Sequence, residues 1–349
     1  MKIIVASFLV LLIGFSACSS KSNKGRKPVT NIQITPSNKT ISYGDHFSIE
    51  LSSRFDEPEI SELKLYIDDR LLKTVNDKAL QFTVNETILP GQHIVKAVAT
   101  NTAGKTGSNY VIIKVVSDTP AAKMGYQLIE SISHPTENYT QGFEFHKGIL
   151  FEGTGNYDES YIHKYLPDHQ TIDKSIKLEA QYFGEGITIL NGKIYQLTYK
   201  SRKGMVYDLN TFEKIDEFSF SSKEGWGLTN DGQSLIMSDG SSKLFFLNPE
   251  NFKVEKVIEA TYPDGFVKNL NELEYVDGII YANIWTSETI AKIDANTGIV
   301  LAFINMSGLL QNYNNSRIDV LNGIAYHPEE ELFYITGKWW PRTFKVRFE

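Results

Sequence analysis

The stretch Gln141-Gly142-Phe143-Glu144-Phe145 has four counterparts further along the chain. Each counterpart begins with a polar or aromatic residue and continues as a short strand-like run. The five segments start about 41 to 50 residues apart, which is the mark of an internal repeat. The counterparts are Glu185–Ile189, Trp226–Asn230, Glu272–Tyr275 with Asn271 before it, and Asn322–Tyr326.

Each repeat continues with a turn and further strand-like runs. The turns carry Gly, Asn, Asp or Pro, as in Asn191-Gly192 and Asp277-Gly278. Four strands in a unit of this length are typical of a β-propeller blade, and five such units account for the region. No helix-length amphipathic run interrupts them. The sequence therefore predicts an all-β protein with a five-bladed β-propeller over residues 125–349.

The preceding region, residues 28–117, alternates apolar and polar residues with strand periodicity. Examples are Phe47-Ile49-Leu51 and Leu63-Leu65-Ile67, with turn residues between the runs. About seven short strands in this length indicate a small immunoglobulin-like β-sandwich. Residues 118–124, which contain Pro120, are expected to be the linker to the propeller.

The N-terminus has the features of an export signal. Met1-Lys2 is followed by the apolar run Ile3–Phe15, which is too short to span a membrane, and then by Ser16-Ala17-Cys18. This arrangement resembles a bacterial lipobox. We expect residues 1–18 to be a lipoprotein signal peptide, Cys18 to carry the lipid, and residues 19–27 to be a tether. The alternative is plain secretion, with Cys18 near the cleavage site.

The expected location is therefore that of an exported bacterial lipoprotein in the periplasm, anchored to the outer or inner membrane. The formal net charge of −7 argues against nucleic acid as a partner, because phosphate contacts need clustered Lys and Arg. The single cysteine excludes an internal disulfide. The histidines of residues 125–349 have no zinc-ligand spacing, and no nucleophile motif or phosphate-binding glycine loop occurs.

Equivalent positions of successive propeller blades form rings around the central channel. The first ring predicted at the channel mouth holds Gln141, Glu185, Trp226, Glu272 or Asn271, and Asn322. Alignment of the second strands gives another level of residues around the channel, at which Gly240 leaves room for its neighbours. That level holds Thr154, Tyr199, Gly240, Trp285 and Lys338. Aromatic, acidic and basic side chains at one level predict a pocket.

Each member of these rings also has a structural interpretation. A single aromatic residue in a blade is more often packing than site, and a single lysine is usually solvated. The combination with Glu185 and Lys338 favours a site, because a buried carboxylate needs a partner or a raised pKa. A carboxyl with a raised pKa suits general acid/base catalysis. Asp239, in Ser238-Asp239-Gly240-Ser241, is expected to be a turn residue.

Nine ordered motifs resemble the glutamine cyclotransferase family of plants and bacteria, the papaya latex type. The resemblance covers about residues 126–349 and leaves the N-terminal sandwich outside. The motifs are TQGFEF (140–145), LFEGTGNY (150–157), YFGEG (182–186), GWGLTNDG (225–232), SDGS (238–241), LNELEY (270–275), ANIW (282–285), DVLNGIAY (319–326) and TGKWWP (336–341).

The resemblance implies a five-bladed propeller that converts N-terminal glutamine to pyroglutamate and releases ammonia. Glu185 corresponds to the family's catalytic acid. The further residues assigned to catalysis are Lys338 and Asn271, and those assigned to substrate binding are Gln141, Tyr199, Trp226, Trp285, Asn322 and Glu272. Tyr199 stands where the plant enzymes usually carry tryptophan. No cofactor is needed for the reaction, although some members hold a structural divalent metal in the channel.

The expected partners are peptides or proteins with N-terminal glutamine, and the chain is expected to be a monomer because a closed propeller needs no partner. One alternative is a non-catalytic envelope propeller that binds peptides or glycans. It would keep the aromatic rings without needing Glu185 or Lys338. Another is a lyase or hydrolase that acts on a different amide, which analysis of the products would distinguish from cyclisation.

Overall fold

The structure is a computed structural model that describes residues 26–53, 59–165, 171–313 and 315–349. The predicted signal peptide with Cys18 lies outside these residues, as do His169 and all but the last two residues of the predicted tether. All regular secondary structure in the described ranges is β-strand, which confirms the all-β prediction. In the same ranges no helix has the length and apolar character needed to cross a membrane.

Residues 30–116 form eight strands, close to the seven expected from the sequence. They are β1 (Thr30–Thr35), β2 (Thr40–Ser42), β3 (Phe47–Ser53), β4 (Ile60–Ile67), β5 (Arg70–Val75), β6 (Ala79–Val84), β7 (Gly91–Asn101) and β8 (Thr106–Val116). One sheet has the strand order β1-β3-β6 and the other β2-β8-β7-β4-β5. In β3 the residues Phe47, Ile49 and Leu51 are buried and alternate with exposed neighbours, as a strand with one covered face requires.

Twenty-three strands follow in residues 122–348. They are β9 (Ala122–Met124), β10 (Tyr126–Ser133), β11 (Thr140–His146), β12 (Ile149–Thr154), β13 (Tyr161–Tyr165), β14 (Ile172–Lys177), β15 (Gly184–Leu190), β16 (Lys193–Thr198), β17 (Lys203–Asp208), β18 (Lys214–Ser219), β19 (Leu228–Asn230), β20 (Leu235–Ser238), β21 (Lys243–Leu247), β22 (Val254–Glu259), β23 (Thr261–Tyr262), β24 (Gly265–Phe266), β25 (Leu270–Val276), β26 (Ile279–Ile284), β27 (Thr289–Asp294), β28 (Val300–Asn305), β29 (Leu321–His327), β30 (Leu332–Gly337) and β31 (Arg342–Phe348). β9 consists of residues that the sequence had placed in the linker, and it pairs in parallel with β28.

The five repeats of the sequence correspond to five antiparallel sheets. Sheet I is β11-β12-β13-β14, sheet II is β15-β16-β17-β18 and sheet III is β19-β20-β21-β22. Sheet IV is β25-β26-β27-β28 with β9 at its edge, and sheet V is β29-β30-β31 with β10 as its fourth strand. The last sheet is thus completed by a strand from the start of the region, which joins the two ends of the repeat array.

The turns between first and second strands explain the local folding. Lys147-Gly148, Asn191-Gly192 and Asp277-Gly278 each have positive φ at both residues. That is the type I′ geometry, which matches the twist of two-residue hairpins and is adopted most easily by Asn-Gly and Asp-Gly. The predicted turns are therefore confirmed at these three positions, and they set the register of each first strand against its second.

Five apolar clusters join the sheets pairwise in cyclic order. The first strands follow the same cycle, because β11 lies beside β15 and β29, β19 lies beside β15 and β25, and β25 lies beside β29. The cluster residues include Ile162 with Ile194 (I–II), Leu197 with Met237 (II–III), Ile236 with Ile280 (III–IV), Ile290 with Ile335 (IV–V) and Tyr334 with Leu150 (V–I).

The chain divides into two compact units that interleave along the sequence. The first takes the described residues up to Gln33 together with Ile49–Phe82 and Ile94–Val111, and the second takes Ile34–Ser48, Thr83–His93 and Ile112–Glu349. All predicted site residues other than Cys18 belong to the second unit.

Candidate active site

The first strands of four sheets are irregular at the positions that the repeat had singled out. Strand pairing shifts register between Thr140 and Gly142, around Gln141, and between Gly184 and Ile187, where Glu185 lies. Corresponding shifts occur in β25 at Asn271 and in β29 at Asn322. A β-bulge bends its strand and re-aims a side chain. The bulges therefore explain how four buried strands present polar residues at one end.

Three of these polar residues, Gln141, Glu185 and Asn271, converge on a cavity of about 210 Å³. Seven of the nine residues assigned to catalysis or substrate binding line it, together with two aromatic residues that the sequence analysis missed. The lining residues are Gln141, Glu185, Tyr199, Trp226, Asn271, Trp285 and Lys338, with Tyr139 and Phe183 in addition.

Glu272 and Asn322 do not line the cavity. The Glu272 carboxylate accepts hydrogen bonds from the backbone N–H groups of Phe143, at 3.1 Å, and Ile324, at 2.8 Å. Glu272 thus joins sheet IV to sheets I and V, while Asn271, the other residue proposed for this repeat, faces the pocket. The Asn322 amide donates to the Gln141 side-chain oxygen at 3.0 Å, so it orients a lining residue from behind.

The second predicted level is formed by residues that directly follow the second strands. The backbone N–H groups of Tyr199, Trp285 and Lys338 each bond to a carbonyl just before the first strand of the same sheet, at 2.9 to 3.0 Å. In sheet I this bond is made by Gly155, not by Thr154, which is the last residue of β12. The assignment of Thr154 to this level was therefore one residue too early.

Gly240 makes room, as the alignment predicted. It has φ +78°, and a Cβ atom there would lie 2.7 Å from the Trp226 ring. Neighbouring Asp239 accepts hydrogen bonds from the Ser241 N–H and hydroxyl groups, which confirms it as a turn residue.

Glu185 is a buried carboxyl that faces the cavity, with 4% of its surface exposed. In the described parts of the chain no side chain donates a hydrogen bond to it. Burial raises its pKa well above the usual range, nearby Lys338 opposes that shift, and the charge of Glu224 adds to it. A carboxyl whose pKa is raised by burial holds its proton more readily than a solvated one, which suits a group that gives and accepts a proton during catalysis.

Lys338 is also 4% exposed. Burial lowers the pKa of its amine, while Glu185 and Asp319 act in the opposite direction. The Lys338 Nζ atom lies 4.6 Å from the centre of the Tyr139 ring. Burial, with contributions from Asp319 and Glu185, raises the pKa of Tyr139 to about 12. Tyr139 is therefore neutral near pH 7, and its ring supports the ammonium group.

Aromatic rings form the walls of the cavity. The Trp226 and Trp285 rings meet edge to face at 5.6 Å, and the Phe183 ring lies 5.7 Å from Tyr199 and 6.1 Å from Tyr139. The two residues that sequence reasoning missed did leave a signal. Tyr139 and Phe183 both stand two positions before the ring residue of their repeat, Gln141 or Glu185.

The residues inside the ring of first strands do not fit a metal centre. Over the described ranges, no group of three or more His, Cys, Asp or Glu side chains is placed to hold a metal ion. Three buried carboxyls, those of Glu144, Glu272 and Glu274, do lie on first strands, but each accepts hydrogen bonds from backbone N–H groups. The donor to Glu144 is Ile189 and the donor to Glu274 is Tyr326, while the donors to Glu272 are given above. The channel metal stays a prediction, and the chemistry proposed for the site uses none.

Comparison with known proteins agrees with this geometry. The glutamine cyclotransferase family profile matches residues 95–348. The chain belongs to this family. It is 34% identical over 228 residues to the glutaminyl-peptide cyclotransferase of Arabidopsis thaliana. The aligned region covers 64% of this chain and 71% of the Arabidopsis protein. The crystal structure of Myxococcus xanthus glutaminyl cyclase matches with a TM-score of 0.61 and 31% identity, covering 66% of this chain and 98% of that one.

Proposed function

We propose that the protein is a glutaminyl-peptide cyclotransferase, which converts the N-terminal glutamine of peptides and proteins to pyroglutamate and releases ammonia. The observation that carries the proposal is the meeting of Glu185 and Lys338, both 4% exposed, in one aromatic-walled cavity of about 210 Å³. Such a cavity suits a single terminal residue. The names of the Arabidopsis and Myxococcus relatives support the same activity.

The reaction is an intramolecular acyl transfer. The α-amine of the terminal glutamine attacks its own side-chain carboxamide carbon, a new C–N bond closes a five-membered ring, and the bond to the amide nitrogen breaks. One proton must pass from the attacking nitrogen to the leaving nitrogen. Glu185 faces the cavity and burial raises its pKa, so this carboxyl acts as the relay and ends the cycle as it began.

The negative charge that develops on the carboxamide oxygen needs a donor. Lys338 and the Asn271 amide both line the cavity and supply N–H groups for this purpose. The Gln141 side chain, held by Asn322, is a further polar contact for the backbone of the substrate. Because ring closure is intramolecular, the main task of these groups is to fix the reactive rotamer and to stabilise charge.

The aromatic walls exclude water from the site. Hydrolysis of the carboxamide would also release ammonia, but it would add a water molecule and leave glutamate. Trp226, Trp285, Phe183 and Tyr139 cover the reacting atoms with apolar surface. Tyr199 adds a smaller, polar ring where the plant enzymes usually have tryptophan. We therefore expect the substrate preference of this protein to differ from that of the plant enzymes at this wall.

Mass spectrometry of a Gln-initiated peptide tests the activity. Incubation with the wild-type protein should give a product lighter by one ammonia, about 17 Da. Glu185→Gln should reduce kcat/KM by at least the roughly 10² to 10⁴ fold typical of general acid/base catalysis. Asp239→Asn is the matched control, because that carboxylate serves only a turn. Turnover at the wild-type rate by Glu185→Gln would refute the role of Glu185, and binding without turnover by the wild type would favour a non-catalytic peptide-binding protein.

The finer architecture belongs to the same proposal. Five sheets whose apolar clusters follow one another in a cycle support a five-bladed β-propeller over residues 125–349. The two sheets β1-β3-β6 and β2-β8-β7-β4-β5, with alternating burial in β3, support an immunoglobulin-like sandwich over residues 28–117. The predicted linker at 118–124 follows, and its last three residues form β9 at the edge of sheet IV. Limited proteolysis would test the boundaries, with cleavage expected first near Thr119.

We also propose that the protein is a monomeric exported lipoprotein, anchored through Cys18 at the inner or outer membrane, that binds no nucleic acid. The apolar run Ile3–Phe15 before Ser16-Ala17-Cys18 and the net charge of −7 support this. Mass spectrometry of the N-terminal peptide from bacterial membranes should find acylated Cys18. Cys18→Ser should move the protein to the soluble fraction, whereas retention of the variant on membranes would contradict the anchor.

A further inference from the structure

Glu224, in the segment between β18 and β19, contacts a residue that lines the cavity. Its Oε2 atom accepts a hydrogen bond from the indole N–H of Trp226 at 3.1 Å. Its Oε1 atom lies 3.8 Å from the Lys200 Nζ atom. Glu224 does not line the cavity itself, so its influence on the substrate passes through the residues it contacts and through its charge.

Lys200 extends the contact to the neighbouring wall. Its Nζ atom lies 4.6 Å from the centre of the Tyr199 ring. The backbone supports the same connection, since the Gly225 N–H donates to the Tyr199 carbonyl at 2.9 Å. Two cavity walls from different sheets, Tyr199 and Trp226, are therefore joined outside the cavity by one ion pair and one backbone hydrogen bond.

The hydrogen bond of Glu224 is the polar restraint on an indole ring that is otherwise held by packing. One side of the Trp226 ring lies against Gly240, where a Cβ atom would come within 2.7 Å, and its edge meets Trp285 at 5.6 Å. These packing contacts do not engage the indole N–H group, whose partner is Glu224. A fixed acceptor for the N–H group selects one rotamer.

We propose that Glu224 is a positioning residue of the cyclisation site, which holds the Trp226 indole in the cavity wall and, through Lys200, joins that wall to Tyr199. The inference rests on the proposed function. The carboxylate is near enough to Glu185 for its charge to be felt there. Glu185 also faces Lys338, Tyr139 and Tyr199, and of these only Lys338 carries a charge that opposes Glu224.

The decisive variants separate the hydrogen bond from the charge. Glu224→Ala removes both, and we expect kcat/KM to fall about tenfold, a fraction of the roughly 10² that a 1 Å misplacement costs. Glu224→Gln keeps an acceptor oxygen for the indole, so kcat/KM should stay within about threefold of wild type. Lys200→Met, which breaks an exposed ion pair, should cost about twofold. Lys223→Gln changes a neighbouring exposed charge and is the control.

A double-mutant cycle tests whether Glu224 acts through the indole. In a Trp226→Phe background, which has no N–H group, the further change Glu224→Ala should cost less than about twofold. A tenfold loss that persists in this background would overturn the proposal. Equal losses in Glu224→Ala and Glu224→Gln would also overturn it, because the restored acceptor would then have had no effect.

Two further readouts distinguish positioning from general destabilisation. Since the charge of Glu224 raises the pKa of Glu185, both Glu224 variants should move the Glu185 limb of the kcat/KM pH profile to lower pH. The indole N–H resonance of Trp226 should shift in Glu224→Ala and stay near its wild-type position in Glu224→Gln. That resonance needs no turnover, so an unmoved signal would overturn the contact even if wild-type cyclisation failed and refuted the proposed function.

Discussion

Two buried carboxyls in neighbouring sheets have opposite environments. Glu152, on β12, is fully buried and receives four hydrogen bonds. The donors are Thr140 at 2.7 Å, Asn138 at 2.7 Å, Tyr165 at 2.9 Å and His134 at 3.1 Å. Glu185, on β15, faces the cavity and receives none from the described residues. Glu152 is the fourth residue of β12, whereas Glu185 is the second residue of β15 and lies where the strand pairing shifts register.

Electrostatics separates the two groups. Burial by itself would raise the pKa of Glu152, but His134 and the other donors bring it down to about 2. Burial raises the pKa of Glu185 with only Lys338 in opposition. A buried charge that is fully hydrogen-bonded stabilises the fold, whereas one whose partners are missing keeps its hydrogen-bonding capacity for a ligand. The comparison teaches that the number of hydrogen-bond partners distinguishes the carboxyl proposed for catalysis from the structural one.

The largest expected effect on stability comes from Glu152. Glu152→Gln leaves His134 buried without a counter-charge, and we expect the free energy of unfolding to fall by about 3 kcal/mol or more. Glu185→Gln is the matched variant and should unfold at the same urea concentration as wild type or a higher one, because it removes a desolvated carboxyl. Urea titrations followed by tryptophan fluorescence measure both. Equal destabilisation by the two changes would contradict the proposed difference between the environments of Glu152 and Glu185.

The pH dependence of the unfolding free energy of the wild type gives a further test of the contrast between Glu152 and Glu185. Because the folded-state pKa of Glu152 lies below its unfolded value, its contribution is present above about pH 4.5 and is lost as the pH falls towards 2. His134 has a raised pKa in the folded state, so its share is complete below pH 6.5 and is lost at higher pH. Glu152→Gln should remove both dependences.

A smaller effect is expected from Glu144, which lies between the two cases. It accepts hydrogen bonds from Thr188 and Ile189, yet burial raises its pKa to about 7. The protonated form is therefore favoured by folding, and its contribution is present below pH 4.5 and lost as the pH rises through 7. The loss should be on the order of 3 kcal/mol for a shift of this size.

Comparison of the wild type with Glu144→Gln separates the pH-dependent contribution of Glu144 from those of two other buried carboxyls. These are Glu272 and Glu274, whose pKa values burial also raises. The unfolding free energy of wild type should decline more than that of the variant between pH 5 and pH 8.5. Parallel curves for the two proteins would show that Glu144 does not titrate in this range.

Much of the fold and site followed from periodicity. The repeat predicted the five sheets and their hairpin turns, because strand length and turn chemistry are local properties. It also placed Glu185 and Trp226 in one ring and Trp285 and Lys338 in a second, since equivalent positions of repeated units meet around a common axis.

Tertiary structure decided what periodicity leaves open. Whether Asn271 or Glu272 faces the cavity depends on a bulge in β25, and a one-residue change of register reverses the side to which every side chain points. The strand β10 completes sheet V from the far end of the region, a pairing that no local pattern encodes.

The sequence alone thus determined the repeat, the turns and the family-like motifs, because these depend on residues that are near one another in the chain. The protonation of Glu185, the satisfaction of Glu152 and the bond from Trp226 to Glu224 depend on which groups surround a side chain in space. Burial and partner geometry set those energies, and only the packed sheets fix both.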